Sequence, residues 1–154
     1  MPKNNLGLTS KIIQFIFEDI ILYYEREIAT NPKGFKKADP MFSSFLRTLN
    51  AEFSYHEGDN HIVAPYKRES KTFFAIKPVN KDSKRLSILA SFFAHLRNSF
   101  AHGHFSVELI NGKRYLCMED KYTNGRKKGE LSMVAQLPVE KLRPLVELLK
   151  QIKK

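Results

Sequence analysis

The chain has 154 residues, 42% of them hydrophobic, with 12 Phe and 6 Tyr, enough for one domain with a substantial core. Its 26 basic and 16 acidic side chains leave a formal charge of +10, which favours polyanions such as nucleic acid and makes salt-sensitive binding the expectation. A single cysteine, Cys117, excludes an intrachain disulfide, and a reducing, cytoplasmic compartment is expected.

Met1-Pro-Lys-Asn-Asn5 has none of the hydrophobic core of a signal peptide. The longest apolar run, Ile12 to Tyr24, is interrupted by Gln14, Glu18 and Asp19, so no membrane span is expected. The same run predicts a first helix from about Ser10 to Ala29, capped by Thr9 or Ser10 and stopped by Asn31-Pro32 and Gly34. Ile12, Ile13, Ile16, Ile20 and Tyr23 give it one buried face. Phe15, Phe17, Ile21, Leu22 and Tyr24 make its other faces apolar too, as in a helix central to a fold or covered by a partner chain.

A second helix is predicted to start at Asp39-Pro40 and to run past Phe53 to about His56–Gly58. Residues 59–81 read poorly. His61–Ala64 and Thr72–Ile76 have strand character, but Pro65 and Pro78 demote them, and with Lys67, Arg68, Lys71 and Lys77 the stretch also reads as a long basic loop beside a binding surface. A third helix spans about Asp82 or Ser83 to Ala101 or His102, with Leu86, Leu89, Phe93, Leu96 and Phe100 as its apolar stripe and Gly103 as its C-terminal cap. Phe105–Ile110, Asn111-Gly112 and Arg114–Met118 read as a β-hairpin. A further strand, Leu131–Leu137, follows the basic turn 123–129. A last helix, about Val139 to Ile152, is kinked or started by Pro144. Cys117 reads as a small apolar filler.

The chemistry concentrates in Phe93-Ala-His-Leu-Arg-Asn-Ser-Phe-Ala-His-Gly103. Arg97 and His102, with Asn98 beside them, can hold a phosphate and move a proton. On a helical wheel with Leu86 at zero, Arg97 falls at about 20°, on the margin of the apolar stripe. His95, Asn98 and His102 fall between about 120° and 180°, on another face. Arg97 therefore needs a carboxylate, a phosphate or a subunit interface, and Glu18 or Glu25 of the first helix is the candidate carboxylate. Arg97 and His102 converge on one ligand only if the helix unwinds at Gly103 or a second copy completes the site. His95 is a candidate helper, with a solvated imidazole the plainer reading. His104 next to His102 suggests a His-x-His metal site, but no further ligands stand at suitable spacing, so no metal and no cofactor are expected. Lys67, Arg68, Lys71 and the turn Arg126-Lys127-Lys128 are candidate RNA contacts, or simply solvated charges.

Arg97-Asn98-Ser99-Phe100-Ala101-His102 resembles the signature of the HEPN superfamily (higher eukaryotes and prokaryotes nucleotide-binding), in which Arg, a polar residue, three to five others and His end a long apolar helix. The resemblance implies a helical core that dimerises with its two motifs facing each other. Many members are metal-independent endoribonucleases, often toxins or antiviral effectors, while others only bind nucleotides or RNA. The fold expected is α+β and mainly α, one domain over 1–154. Its helical core would cover about 10–103 and 138–152, with a small antiparallel insertion at about 104–137. The function expected is a cytoplasmic ribonuclease acting through Arg97, Asn98 and His102, a homodimer with RNA as substrate and an antitoxin or regulator as a further partner. The alternatives are a silent RNA- or nucleotide-binding module and a protein-interaction subunit of a toxin–antitoxin pair.

Overall fold

Thr9 starts the first helix as its side chain predicts: its Oγ1 accepts the Ile12 N–H at 3.2 Å. The computed structural model describes residues 8–35, 40–58, 62, 69–81 and 83–153. Helix α1 covers 10–28. Only Ser10–Phe15 is α-helical at its start; Ile16–Leu22 and Tyr24–Ile28 are π-wound. Such i→i+5 winding is invisible to a 3.6-residue pattern. Its consequence is that Ile16, Ile20, half-buried Tyr24 and Ile28 point inward every four residues. Ile13, expected on the buried face, is 40% exposed, and Phe17 is 54% exposed.

Helix α2 (Pro40–Thr48) stops well short of His56; its expected cap, Asp39, lies outside the described residues. Asn50 turns left-handed (φ 51°) and the Ala51 N–H returns to Leu46 O at 2.9 Å, ending the helix. The chain then enters strand β1 (Glu52–Tyr55), in which Phe53 and Tyr55 alternate with exposed Glu52 and Ser54. That two-residue period overrides the helical reading of Phe53. The demoted run Thr72–Ile76 does form a strand, β2 (Phe73–Ile76), and an interior one: it pairs parallel with β1 and antiparallel with strand β7 (Leu131–Pro138). Pro78 falls beyond its end and removes no ladder donor. Of the other proposed strand, only Ile62 is described, buried against Phe73, Ala75 and Val134.

A two-stranded ribbon, β3 (Asn80–Lys81) with β4 (Lys84–Arg85), occupies the place expected for the start of the third helix. Helix α3 begins instead at Ile88 and runs to Ala101, capped by Ser87 Oγ accepting the Ala90 N–H at 3.2 Å. Strands β5 (Phe105–Ile110) and β6 (Lys113–Lys121) form the predicted hairpin. Asn111 (φ 51°) and Gly112 (φ 81°) both take the left-handed conformation that a type I′ turn requires. The sheet order is β1-β2-β7-β6-β5. The expected small antiparallel insertion is thus part of a five-stranded mixed sheet, because two strands from before the motif helix extend it beyond β7. A 3₁₀ turn (Val139–Lys141) leads into helix α4 (Leu142–Ile152). Pro144 lies in its first turn, where the missing N–H has no helical acceptor to lose.

Helices and sheet share one core built around α3, whose Phe92, Phe93 and Leu96 are fully enclosed. Phe92 contacts the rings of Phe42, Phe53 and Phe74, and Phe93 meets Tyr23 and Tyr24 of α1. Among the described residues, no helix is long and apolar enough to cross a membrane.

Candidate active site

Helix α3 ends as Gly103 predicts. At φ 73° this glycine lets the His104 N–H reach Ser99 O at 2.8 Å while its own N–H bonds Phe100 O at 3.3 Å. The Glu119 N–H then donates to His104 O at 2.9 Å, tying the turn to β6. Arg97 and Asn98 are half-buried in the last turns of the helix; His102 and His104 are exposed. The imidazoles of His102 and His104 stand 6.0 Å apart, centre to centre.

Of the two candidate carboxylates for Arg97, the structure selects Glu25: its Oε2 lies 2.5 Å from Arg97 Nη2. Glu18 instead accepts a hydrogen bond from Gln14 Nε2 at 3.0 Å. Arg97 Nη1 donates to Asn98 Oδ1 at 2.9 Å, and the guanidinium lies 5.8 Å from the Tyr24 ring centre. The head group is thus held between Glu25 of α1 and Asn98, the residue one turn before His102. Arg97 Nε is buried without a hydrogen-bond partner, the one such side-chain atom among the described residues. Burial lifts the Tyr24 hydroxyl above the usual tyrosine range; Arg97 pulls it back and Glu25 pushes it up.

Asn98 is oriented from its other end. Its Nδ2 donates to Asp120 Oδ2 at 3.1 Å. Asp120, on β6 and 3% exposed, also meets His95 Nδ1 at 2.8 Å and accepts the Lys121 N–H at 2.9 Å. His95 is 2% exposed, so it is not the solvated imidazole of the plainer reading. Its Nε2 donates to Lys77 O at 2.7 Å. A carbonyl only accepts, so Nε2 is the donor in this bond. The result is a continuous polar line from Glu25 through Arg97, Asn98 and Asp120 to His95.

Asp120 was not among the sequence candidates; the hairpin strand was read only to Met118, and the structure extends it to Lys121. Its signal lay in alternation: Leu116 and Met118 point into the core, and Asp120 is next on that face. The basic turn lies just past this end of β6. Arg126 and Lys128 are exposed, and Lys127 Nζ is 5.8 Å from the Tyr122 ring centre. Lys71 lies toward the opposite end of the sheet, 3.3 Å from Glu52 and 4.0 Å from Glu69. Lys67 and Arg68 lie outside the described residues. Cys117 is half-buried and its Sγ donates to Gln136 Oε1 at 3.4 Å, a polar contact where an apolar filler was expected. Among the described residues, no three His, Cys, Asp or Glu cluster closely enough to hold a metal ion.

A family model described as HEPN pEK499 p136 matches residues 10–153. No curated protein and no solved structure matches the chain.

Proposed function

The chain belongs to this HEPN family, and from that premise we propose that it is an endoribonuclease that cleaves RNA without a metal ion. One observation carries the reading. Arg97 is held by Glu25 and Asn98 near the end of the helix that presents an exposed His102.

In the proposed reaction the 2′-hydroxyl of RNA is the nucleophile. His102 takes its proton, and O2′ attacks the adjacent phosphorus. In this reading Arg97 binds the phosphate oxygens, and its guanidinium stabilises their growing charge. Asn98 holds that guanidinium, and Asp120 holds Asn98. The P–O5′ bond breaks, leaving a 2′,3′-cyclic phosphate and a 5′-hydroxyl. DNA, without the 2′-hydroxyl, is left intact. The charge of +10 and the turn Arg126-Lys127-Lys128 at the motif end of the sheet favour an RNA partner. Pairing of two copies, the arrangement the family resemblance implies, would bring two motifs together. Ile13 and Phe17, exposed one turn apart on α1, offer apolar surface for such an assembly. A toxin or antiviral-defence role, restrained by an antitoxin or regulator, follows from the same reading.

The test is cleavage of a mixed RNA pool in EDTA. Wild type is expected to release fragments with 2′,3′-cyclic phosphate ends, and His102→Ala and Arg97→Ala to release none. Intact RNA bound tightly and salt-dependently would replace the enzyme with a silent RNA-binding module.

A further inference from the structure

At the end of the sheet away from the motif lies a cavity of about 200 Å³. Its walls come from the end of α2, the residues just before β2, the start of β6 and the turn into α4, and three lysines line it: Lys71, Lys113 and Lys141. We propose that this cavity is a phosphate-binding site, separate from the Arg97–His102 motif. Lys113 and Asp120 open and close most of β6, so the cavity stands about 23 Å from the motif end at the rise of a strand. The proposal does not depend on the ribonuclease reading.

The charges come first. Lys113 and Lys141 have no ion-pair partner among the described residues. Lys71 lies 3.3 Å from Glu52 and 4.0 Å from Glu69, but those carboxylate side chains are 72% and 52% exposed and do not line the cavity. Pairs in water hold weakly, so a phosphate can draw Lys71 inward. Lys141 is also the N-cap residue of α4, an end that no side chain caps, and the positive pole of a helix favours an anion. The end of α2 borders the cavity with the opposite pole. There the carbonyls of Phe45, Leu46 and Arg47 already accept the N–H groups of Leu49, Ala51 and Asn50.

The hydroxyls are the second observation. Thr72 and Tyr115 are each 5% exposed and line the cavity. Neither hydroxyl has a hydrogen-bond partner among the described residues, and neither is sealed from solvent. Hydroxyls of buried residues are normally bonded, and phosphate oxygens supply acceptors. The wall that carries Lys71 and Thr72 is fixed in advance. Gln136 Nε2 donates to Glu69 O at 2.9 Å and to Lys71 O at 2.8 Å, and Asn111 Nδ2 donates to Ser70 Oγ at 2.6 Å. Pockets for whole organic ligands measure about 300–1,000 Å³, so this one takes the phosphate and leaves base and sugar outside. Binding is therefore indifferent to base and to the 2′-hydroxyl. The phosphate comes either from a nucleic-acid backbone or from a free phosphate ester.

The experiment uses two probes: inorganic phosphate, followed by protein ¹⁵N–¹H spectra at constant ionic strength, and a fluorescent single-stranded oligothymidylate, followed by anisotropy across a salt series. Lys113→Gln/Lys141→Gln is compared with Lys11→Gln/Lys84→Gln, which removes the same charge from exposed lysines elsewhere. Phosphate is expected to shift the amides of Thr72, Lys113 and Tyr115 in wild type and in the control, but not in the cavity variant. The cavity variant is expected to bind DNA about five- to tenfold more weakly and to flatten the plot of log K against log salt by about 0.7, the increment of one single-strand phosphate, while the control stays within about twofold. Thr72→Val/Tyr115→Phe, which changes no charge, should also blunt the phosphate shifts. Circular dichroism confirms that each variant is folded. Phosphate shifts with equal DNA losses in both lysine variants support a site for a free phosphate ester. A selective DNA loss supports a backbone phosphate. Equal DNA losses and no phosphate shifts at these amides overturn the proposal. Neither assay involves catalysis, so a wild type that cuts no RNA removes the ribonuclease reading and leaves this one standing.

Discussion

His95 and His102 share one face of α3, about 20° apart on a helical wheel, yet the structure puts them in opposite worlds. His95 sits where β6 crosses the helix, with both nitrogens bonded and 2% of its surface exposed. His102 is the C-cap, past the region where the sheet covers the helix, and is exposed. The lesson is that direction around a helix does not decide the role of a polar residue. Distance along it does, because the packed sheet ends. The middle of the helix uses its histidine to anchor; the last turn leaves its histidine exposed. Asn98 joins the two regions, bonded inward to Asp120 and outward to Arg97.

This contrast can be broken most directly at Asp120. Asp120→Ala strands buried His95 and releases Asn98, and is expected to lower the unfolding free energy by about 3–5 kcal/mol, read from urea titrations. A loss under about 1 kcal/mol would mean that the network is not what anchors the helix. Next comes Gly103→Ala, which forces a Cβ into a left-handed position at a cost of about 1–2 kcal/mol. Because Gly103 directly follows His102 in the proposed site, RNA cleavage is expected to fall as well; a silent substitution would show that the turn geometry is immaterial. Arg97→Ala removes a partly exposed ion pair, so thermal unfolding should report about 1 kcal/mol or less, even though cleavage is abolished. The smallest expected effect on stability is that of His102→Ala, within about 0.5 kcal/mol of wild type. A destabilisation as large as that of Asp120→Ala would erase the distinction between the two regions.

Much of this was legible in the residues. Thr9 capping α1, Gly103 ending α3 and Asn111-Gly112 closing the hairpin are local bonds among neighbours, and each appears as predicted. The motif at 97–102 and the family to which it points were readable for the same reason, since spacing on one helix is a local property. Errors fell where local preference met distant packing. Phe53 satisfies a helix by pattern but a strand by partner, because β2 pairs with it only after the chain returns. The π-winding of α1 from Ile16 onward leaves no trace in a 3.6-residue period, and Ile13, in the α-helical start, is exposed although the pattern placed it on the buried face.

The sequence by itself determined the motif helix, its cap, the hairpin turn and the basic charge, because these depend on neighbouring residues and composition. Only the tertiary structure chose Glu25 over Glu18 for Arg97, buried His95, and carried Asp120 across 22 residues to Asn98. Those contacts form when a strand and a helix that are remote in the chain pack into one core, and desolvation then obliges each buried polar group to find its partner.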